Sequence, residues 1–169
     1  MNSPQAATFL PDNSAASGIV RPLTLASRAL STLQAPFALV TRLYVSWVFL
    51  NSGWLKFSSW SQTLDLFRSE YHVPLLPPAL AAVVGTCGEL FFPILVILGL
   101  AGRIGAVGLF AVNAMAVISY AHVLYLEGFE AAIGQHYLWG FMLIMLAVYG
   151  PGALSLDRLL ARCKGSPQW

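Results

Sequence analysis

Charged side chains are what this sequence has least of. Only 9% of its 169 residues are Asp, Glu, Lys or Arg, whereas 57% are hydrophobic. Because soluble domains usually carry about 25% charged residues, this chain has too few of them to cover its surface in water. The net charge of +2 is also too small to indicate a nucleic-acid-binding surface. The composition therefore predicts a membrane protein whose partner is the lipid bilayer and not nucleic acid.

Cysteine pairs and cofactor motifs are missing as well. The two cysteines, Cys87 and Cys163, form neither a CxxC pair nor a metal-type spacing. The sequence contains no haem-ligand motif, no flavin signature and no glycine-rich dinucleotide fingerprint. Residues 1–20 lack a basic region followed by an apolar one, which is typical of a disordered tail rather than a signal peptide. We therefore expect no cofactor that is held by a motif of this chain, whereas a bound quinone stays possible.

Four long hydrophobic segments make up most of the remaining sequence. A helix needs about 20 residues to cross the hydrocarbon core of a bilayer, and segments of about 17 to 25 residues qualify. The apolar runs are continuous rather than alternating, which favours helices over strands. The segments cover residues 37–57, 79–101, 104–126 and 133–149. The predicted fold is an all-α membrane protein, a bundle of four transmembrane helices.

The basic residues indicate how these helices are oriented. Most of them lie on the two terminal segments or in the turn between the second and third hydrophobic segments. The loop at 127–132 has two acidic residues, Glu127 and Glu130, and no basic one. Since Lys and Arg collect on the cytoplasmic side of a membrane, we predict that both termini are cytoplasmic. The loops that begin at Ser58 and Glu127 then face the outside.

A single glutamate interrupts the second hydrophobic segment. Glu89 is the only charged residue between Ala79 and Ala101. A helix that enters the membrane at Ala79 places it about 15 Å deep, near the midplane. An unpaired ion there is costly, so Glu89 should face the bundle interior and either pair with a cation or be protonated. Arg42 is the first candidate for that cation, and both a packing role and a functional role stay open.

Other polar residues carry weaker signals. Asn113 lies about as deep as Glu89 on the third segment, where a buried amide often joins helices. His122 and His136 lie near the outer boundary, which favours two surface histidines. With Glu127 and Glu130 they could instead form a weak metal or proton-entry cluster. Because no HxxxH or ExxH spacing supports metal ligands, we expect no metal site.

Three motifs occur in a fixed order along the chain. They read R-L-Y-V-S-W-V-F-L-N-S-G-W-L-K-F at 42–57, G-E-L-F-F-P-I-L-V-I-L-G-L-A-G-R at 88–103 and Y-G-P-G-A-L-S-L-D at 149–157. Together they resemble the DoxX family of small four-helix bacterial membrane proteins. The resemblance covers residues 37–160. It leaves residues 1–36 as a polar, largely disordered extension with room for an interfacial helix, and residues 161–169 as a short basic tail.

The resemblance implies a location and a field of activity. DoxX proteins are multi-pass proteins of the bacterial inner membrane. They are associated with quinone-linked oxidoreduction, including a thiosulfate:quinone oxidoreductase, and with oxidative or metal stress. The positions that match the family pattern are Arg42, Gly53, Lys56, Glu89, Arg103 and the motif at 150–157.

The first functional hypothesis is a membrane subunit or partner of a quinone-linked oxidoreductase, or of an oxidative- or metal-stress system. A quinone site needs an apolar cleft, aromatic side chains and a proton donor or acceptor. The candidate quinone-site residues are Trp47, Glu89, Asn113 and Tyr120, and the candidate catalytic residues are Glu89, Arg42 and His122. Since the chain has no redox motif of its own, electrons would come from another membrane or soluble redox protein. The chain would be at most a subunit of an enzyme.

The second hypothesis is a membrane protein without enzymatic activity. It would serve as an anchor, an assembly factor or a permeation element for small molecules. The small size of the chain and the missing cofactor motifs favour this interpretation. Four helices could form a transport path only as an oligomer, so a homo-oligomer stays open as well.

Overall fold

The computed structural model describes the backbone of residues 14–163 and the side chains of residues 24–163. Within these residues the chain is helical and contains no strand. The helices are α1 (Ser14–Ser58), α2 (Trp60–Ser69), α3 (Pro78–Leu98), α4 (Gly102–Ser119), α5 (Ala121–Leu124), α6 (Glu130–Tyr149) and α7 (Leu156–Cys163).

Four helices are long and apolar enough to cross a membrane. The candidate spans are Thr24–Ser58 in α1, Pro78–Leu98 in α3, Gly102–Ser119 in α4 and Glu130–Tyr149 in α6. Each of the four predicted segments falls on one of these helices. The predicted all-α fold with four transmembrane helices is therefore confirmed, and the chain is an integral, multi-pass membrane protein. The orientation of its termini stays a prediction.

The first of two compact units ends at Gln34. Helix α1 begins at Ser14, so residues 14–34 are helical, in the region that the sequence analysis expected to be largely disordered with room for an interfacial helix. Alanine and leucine are frequent in this stretch, and both have high helix propensity. Residues 1–13 lie outside the described part of the chain.

The second compact unit begins at Ala35 and contains the helix bundle. All four spanning helices contribute to its apolar core. The buried core residues are Val45, Phe49, Val96, Ala106, Leu109, Leu143 and Leu146. Many other large apolar side chains point outward, such as Trp54 and Phe141, which are 63% and 64% exposed. Lipid surrounds such a bundle in place of water, so these outward side chains need no further burial.

Helix α2 lies where the sequence analysis predicted only a loop, from 58 to 78. Its apolar residues Trp60, Leu64 and Phe67 are spaced by four and three, so they share one face of the helix. That face packs against Ala81 and Ala82 near the start of α3. At 10 residues α2 is too short to span a membrane. It covers the end of the bundle where α1 ends and α3 begins.

The third span ends earlier than the predicted boundary at Leu126. Helix α4 ends at Ser119, and the short helix α5 follows after Tyr120. Tyr120 leaves the helical conformation with φ −114° and ψ 18°. The carbonyl of Ser119 accepts a hydrogen bond from the backbone N–H of His72 at 2.9 Å. The loop after α2 is thereby fixed to the end of α4.

Helix α7 begins at the end of the motif at 149–157 and runs from Leu156 to Cys163. Its leucines, Leu156, Leu159 and Leu160, are all exposed. An exposed apolar face beside arginines is typical of a helix at a membrane surface. The position of α7 at that surface stays a prediction.

Candidate functional site

A buried ion pair joins α1 to α3. Lys56 Nζ lies 2.6 Å from both Glu89 Oε1 and Glu89 Oε2, and it donates a further hydrogen bond to Ser52 Oγ at 2.8 Å. The two charged side chains are only 14% and 9% exposed. An ammonium group has three hydrogens to donate, so all of them have partners within the protein. The prediction that Arg42 pairs with Glu89 is wrong, because Lys56 is the cation.

A close approach of the two helices makes this pair possible. A Cβ at Gly53 would lie only 2.9 Å from Glu89 Cβ, so no larger residue fits between α1 and α3 at this level. Lys56 lies one turn further along α1, on the same side as Gly53. Helix α2 then folds over Lys56, because Thr63 Oγ1 donates a hydrogen bond to the Lys56 carbonyl at 2.9 Å. The sequence analysis did not consider Lys56 as the partner of Glu89, and it predicted only a loop where α2 lies.

Arg42 occupies a separate site at the other end of α3. Its Nε donates to the Val96 carbonyl at 2.7 Å, and its Nη2 donates to the Ile97 carbonyl. Its Nη1 donates to the carbonyls of Pro151 and Leu154 at 2.9 and 2.6 Å. The last carbonyls of a helix lack partners within the helix and carry partial negative charge. Arg42 therefore binds the end of α3 to the segment that follows α6.

The motif at 150–157 completes this structural site, which we call the Arg42 anchor. Both carboxylate oxygens of Asp157 accept backbone hydrogen bonds, from Ala101 N–H at 2.8 Å and Gly102 N–H at 2.9 Å. Asp157 thus caps the start of α4. Gly99 turns the chain with φ 63°, and a Cβ there would lie 2.8 Å from Arg42 Nη2. Arg42 and the motif at 150–157 therefore act together as structural elements.

An apolar cavity of about 330 Å³ lies beside the ion pair. It is enclosed by α3, α4 and α2, with Lys56 and Glu89 in its wall. Two of its lining side chains, Val84 and Met115, are also 52% and 39% exposed on the outside of the bundle. The cavity therefore opens between α3 and α4 toward the surrounding lipid.

Tyr71 brings a further polar group to this cavity. Its ring packs edge-on against Phe67 at 4.8 Å and against Tyr120 at 5.2 Å between centroids. Burial and the negative charge of Glu89 both raise the pKa of the Tyr71 hydroxyl. The phenol therefore stays protonated at neutral pH and can donate a hydrogen bond. The spacing of Trp60, Leu64, Phe67 and Tyr71 by four, three and four is the sequence signal that could have identified it.

The other candidate quinone-site residues do not line the cavity. Trp47 is 65% exposed on the outside of α1. Asn113 is buried and joins α4 to α6, because its Nδ2 donates to the His136 carbonyl at 3.0 Å. Tyr120 packs edge-on against Tyr71, which lines the cavity, but it does not line the cavity itself. Of the four residues, only Glu89 is in the cavity wall.

The histidines are arranged differently from the expected surface pair. The prediction is wrong for His136, whose Nδ1 hydrogen-bonds to Asn113 Oδ1 at 2.9 Å inside the bundle. His122 is exposed, as predicted, and its Nδ1 lies 3.3 Å from Nδ1 of His72. Glu130 accepts hydrogen bonds from the backbone N–H of Gly128. Among the described residues, no group of three or more His, Cys, Asp or Glu side chains could hold a metal ion.

Comparison with known proteins identifies the family. The DoxX family model matches residues 37–122, which is just over half of the chain. The chain belongs to the DoxX family. The matched region includes both Arg42 of the anchor and the Lys56–Glu89 pair of this DoxX protein. No curated protein and no solved structure matches the chain.

Proposed function

We propose that this DoxX protein is a bacterial inner-membrane subunit or partner of a quinone-linked oxidoreductase and that its cavity binds the quinone. The observation that carries the proposal is an apolar cavity, open to lipid, whose wall contains a buried ion pair. Ligand sites are mostly apolar with a few polar groups, and they occupy about 300–1,000 Å³. The cavity lies at the lower end of that range, which suits a single ring with its tail outside.

The opening between α3 and α4 suits a ligand that arrives from the membrane. Val84 and Met115 line the cavity and also face the lipid. A ring could therefore enter sideways and leave its apolar tail among the lipid chains. Phe92 and Val112 supply apolar walls for the ring.

The polar groups of the cavity fit the oxygen atoms of a quinone. Lys56 and Tyr71 can donate hydrogen bonds to a carbonyl oxygen. Glu89 is a carboxylate that can accept a proton once Lys56 moves from it to the ligand. A bound quinone takes up two electrons, which come from a partner protein, and two protons, which come from water, to become a quinol. Glu89 can relay these protons by accepting each one from water and passing it to a quinone oxygen.

One observation favours the second candidate function, a membrane anchor or assembly factor without enzymatic activity. All three hydrogens of the Lys56 ammonium group are bound by Ser52 and Glu89. In that arrangement the pair serves only to hold α1 against α3. A ligand must displace one of these bonds, and its binding has to offset that loss.

A pair of adjacent valines on α3 gives a matched test of the two candidates. Val84 lines the cavity, whereas Val83 is 44% exposed and does not line it. We expect Val84→Trp to fill the cavity and lower labelling by a photoreactive quinone about tenfold, whereas Val83→Trp stays at the wild-type level. The protein is reconstituted in lipid nanodiscs for this measurement. Equal labelling of the two variants would place quinone outside the cavity, and no labelling of the wild type would favour the anchor.

The link to an oxidoreductase needs a second measurement. Membranes that contain the protein together with its native partners should reduce added quinone, and Val84→Trp should lower that rate whereas Val83→Trp should not. If the rate is the same in membranes without this protein, the protein is not part of the reaction. Labelling of the cavity with no effect on the rate would show quinone binding without a role in oxidoreduction.

A further inference from the structure

The loop after α2 and the helix α5 bring two imidazoles together. His72 Nδ1 and His122 Nδ1 are 3.3 Å apart, and the two ring centroids are 4.6 Å apart. Both side chains are exposed. They are fifty residues apart in the sequence, so no local spacing motif could have indicated the pair.

We propose that His72 and His122 bind a divalent transition-metal ion of the Zn²⁺ class. Neutral imidazole is the commonest protein ligand for such ions. A tetrahedral Zn²⁺ ion holds each nitrogen at about 2.0–2.1 Å, which places two of its nitrogen ligands about 3.3 Å apart. The Nδ1 atoms therefore already have the separation that two ligands of one Zn²⁺ ion require.

The backbone around both histidines is fixed before any metal binds. The N–H of His72 donates to the Ser119 carbonyl at 2.9 Å, next to the position where α4 ends. Tyr71, which precedes His72, and Tyr120, which follows Ser119, pack edge-on at 5.2 Å. The ring of Tyr120 also packs against the ring of His122 at 5.5 Å. A pair held in this way loses little conformational entropy when it binds an ion.

The rest of the coordination sphere comes from outside the pair. No third His, Cys, Asp or Glu side chain joins the two histidines to form a metal site in the described part of the chain. Two coordination positions of a tetrahedral ion are then left for water or an external ligand. The metal would also fasten the loop that carries Tyr71 over the cavity, because His72 follows Tyr71 directly.

The third histidine of the chain provides a matched control. His136 has its Nδ1 bound to Asn113 and lies in α6, apart from the pair. The protein is purified with an affinity tag that lacks histidine, placed in lipid nanodiscs and titrated with Zn²⁺ in a calorimeter. We expect the wild type and His136→Gln to bind one Zn²⁺ ion per chain. We expect His72→Gln and His122→Gln each to weaken that binding at least about tenfold.

Thermal unfolding gives an independent readout. Zn²⁺ should raise the unfolding midpoint of the wild type and of His136→Gln, because an ion that binds only the folded state stabilises it. It should not raise the midpoint of His72→Gln or His122→Gln. Both variants change exposed side chains, and their midpoints without metal show whether they fold like the wild type. Wild-type affinity in His72→Gln, or no binding to the wild type at free Zn²⁺ up to about 1 mM, would overturn the proposal.

Discussion

At the scale of single residues, the main feature is the Lys56–Glu89 ion pair, in which each charge is stabilised by the other. Each is nearly buried and each has the other as its only oppositely charged contact among the described residues. Removing one partner of a buried pair leaves the other charge uncompensated in a low-dielectric interior. Removing both charges at once avoids that cost. The pair is therefore expected to show strong energetic coupling.

We expect Lys56→Met and Glu89→Gln each to lower the free energy of unfolding by about 3 kcal/mol. The double variant should lose clearly less than the sum of the two, since it strands no charge. Equilibrium unfolding of the purified protein in mixed micelles measures these values. Arg68→Met is the control, because Arg68 pairs with Asp65 at 3.7 Å on the exposed surface and should contribute less than about 1 kcal/mol. Additive losses would contradict the coupling.

Arg42 is a residue whose shape matters as much as its charge. Its guanidinium group donates to four carbonyls from two separate segments. A lysine has the same charge but only three hydrogens, and they diverge from one nitrogen. We expect Arg42→Lys to lower the free energy of unfolding by about 2–4 kcal/mol, with Arg42→Ala losing more. Stability within about 0.5 kcal/mol of the wild type in Arg42→Lys would contradict this role.

Because Lys56 and not Arg42 pairs with Glu89, the expected energetic coupling between substitutions of Arg42 and Glu89 also changes. The sequence analysis treated Arg42 and Glu89 as partners, and their substitutions would then have non-additive effects on the free energy of unfolding. Within the described residues they share no hydrogen-bond partner, since Arg42 donates its hydrogen bonds to backbone carbonyls and Glu89 accepts its hydrogen bonds from Lys56. We therefore expect the losses from Arg42→Ala and Glu89→Ala to add, which the same unfolding measurement can check.

At the scale of the elements, the contact between α1 and α3 depends on one glycine. A Cβ at Gly53 would lie 2.9 Å from Glu89 Cβ and 3.1 Å from the Glu89 carbonyl carbon. Backbone cannot move aside as a flexible side chain can, so the helices must separate. A separation there also lengthens the distance between Lys56 and Glu89.

We expect Gly53→Ala to lower the free energy of unfolding by about 1–3 kcal/mol through overpacking. The matched control is Gly134→Ala in α6, where a Cβ would have nothing within 4 Å. Alanine is the better helix former, so this control should be neutral or more stable by up to about 1 kcal/mol. Both values come from the same unfolding experiment. A loss in Gly134→Ala as large as in Gly53→Ala would contradict the close approach.

For the whole molecule, most of the residues that suggested the family resemblance in the sequence lie in one of two sites. Arg42 and the motif at 150–157 form the anchor, which joins α1, the turn between α3 and α4, and the end of α6. Gly53, Lys56 and Glu89 form the ion pair beside the cavity. One group of these residues therefore maintains the bundle, and the other group lies beside the cavity.

The orientation of the bundle is the prediction that belongs to this scale. Because Lys and Arg concentrate on the terminal segments, we expect both termini in the cytoplasm. A fluorescent protein that folds only in the cytoplasm should be bright when it is fused after Trp169. An alkaline phosphatase fused at the same position should be inactive, since it folds only outside. Phosphatase activity without fluorescence would show that the termini lie outside the cytoplasm, contrary to the prediction.

The sequence by itself determined the class of fold and its main sites of interest. Continuous apolar runs of about 20 residues can only be helices in lipid, because backbone groups there must bond within their own segment. The same argument singled out Glu89, since a midplane charge has to face the interior. All of these conclusions depend on one segment at a time.

Only the tertiary structure decided which segments meet. The partner of Glu89 depends on how far α1 extends alongside α3 and on α2 folding over Lys56, and neither follows from the depth of a residue along one helix. The pair of His72 and His122 likewise joins two loops that are distant in the sequence. The cavity exists only between helices, so no single segment contains it. Contacts of this kind arise from packing, and packing is a property of several segments together.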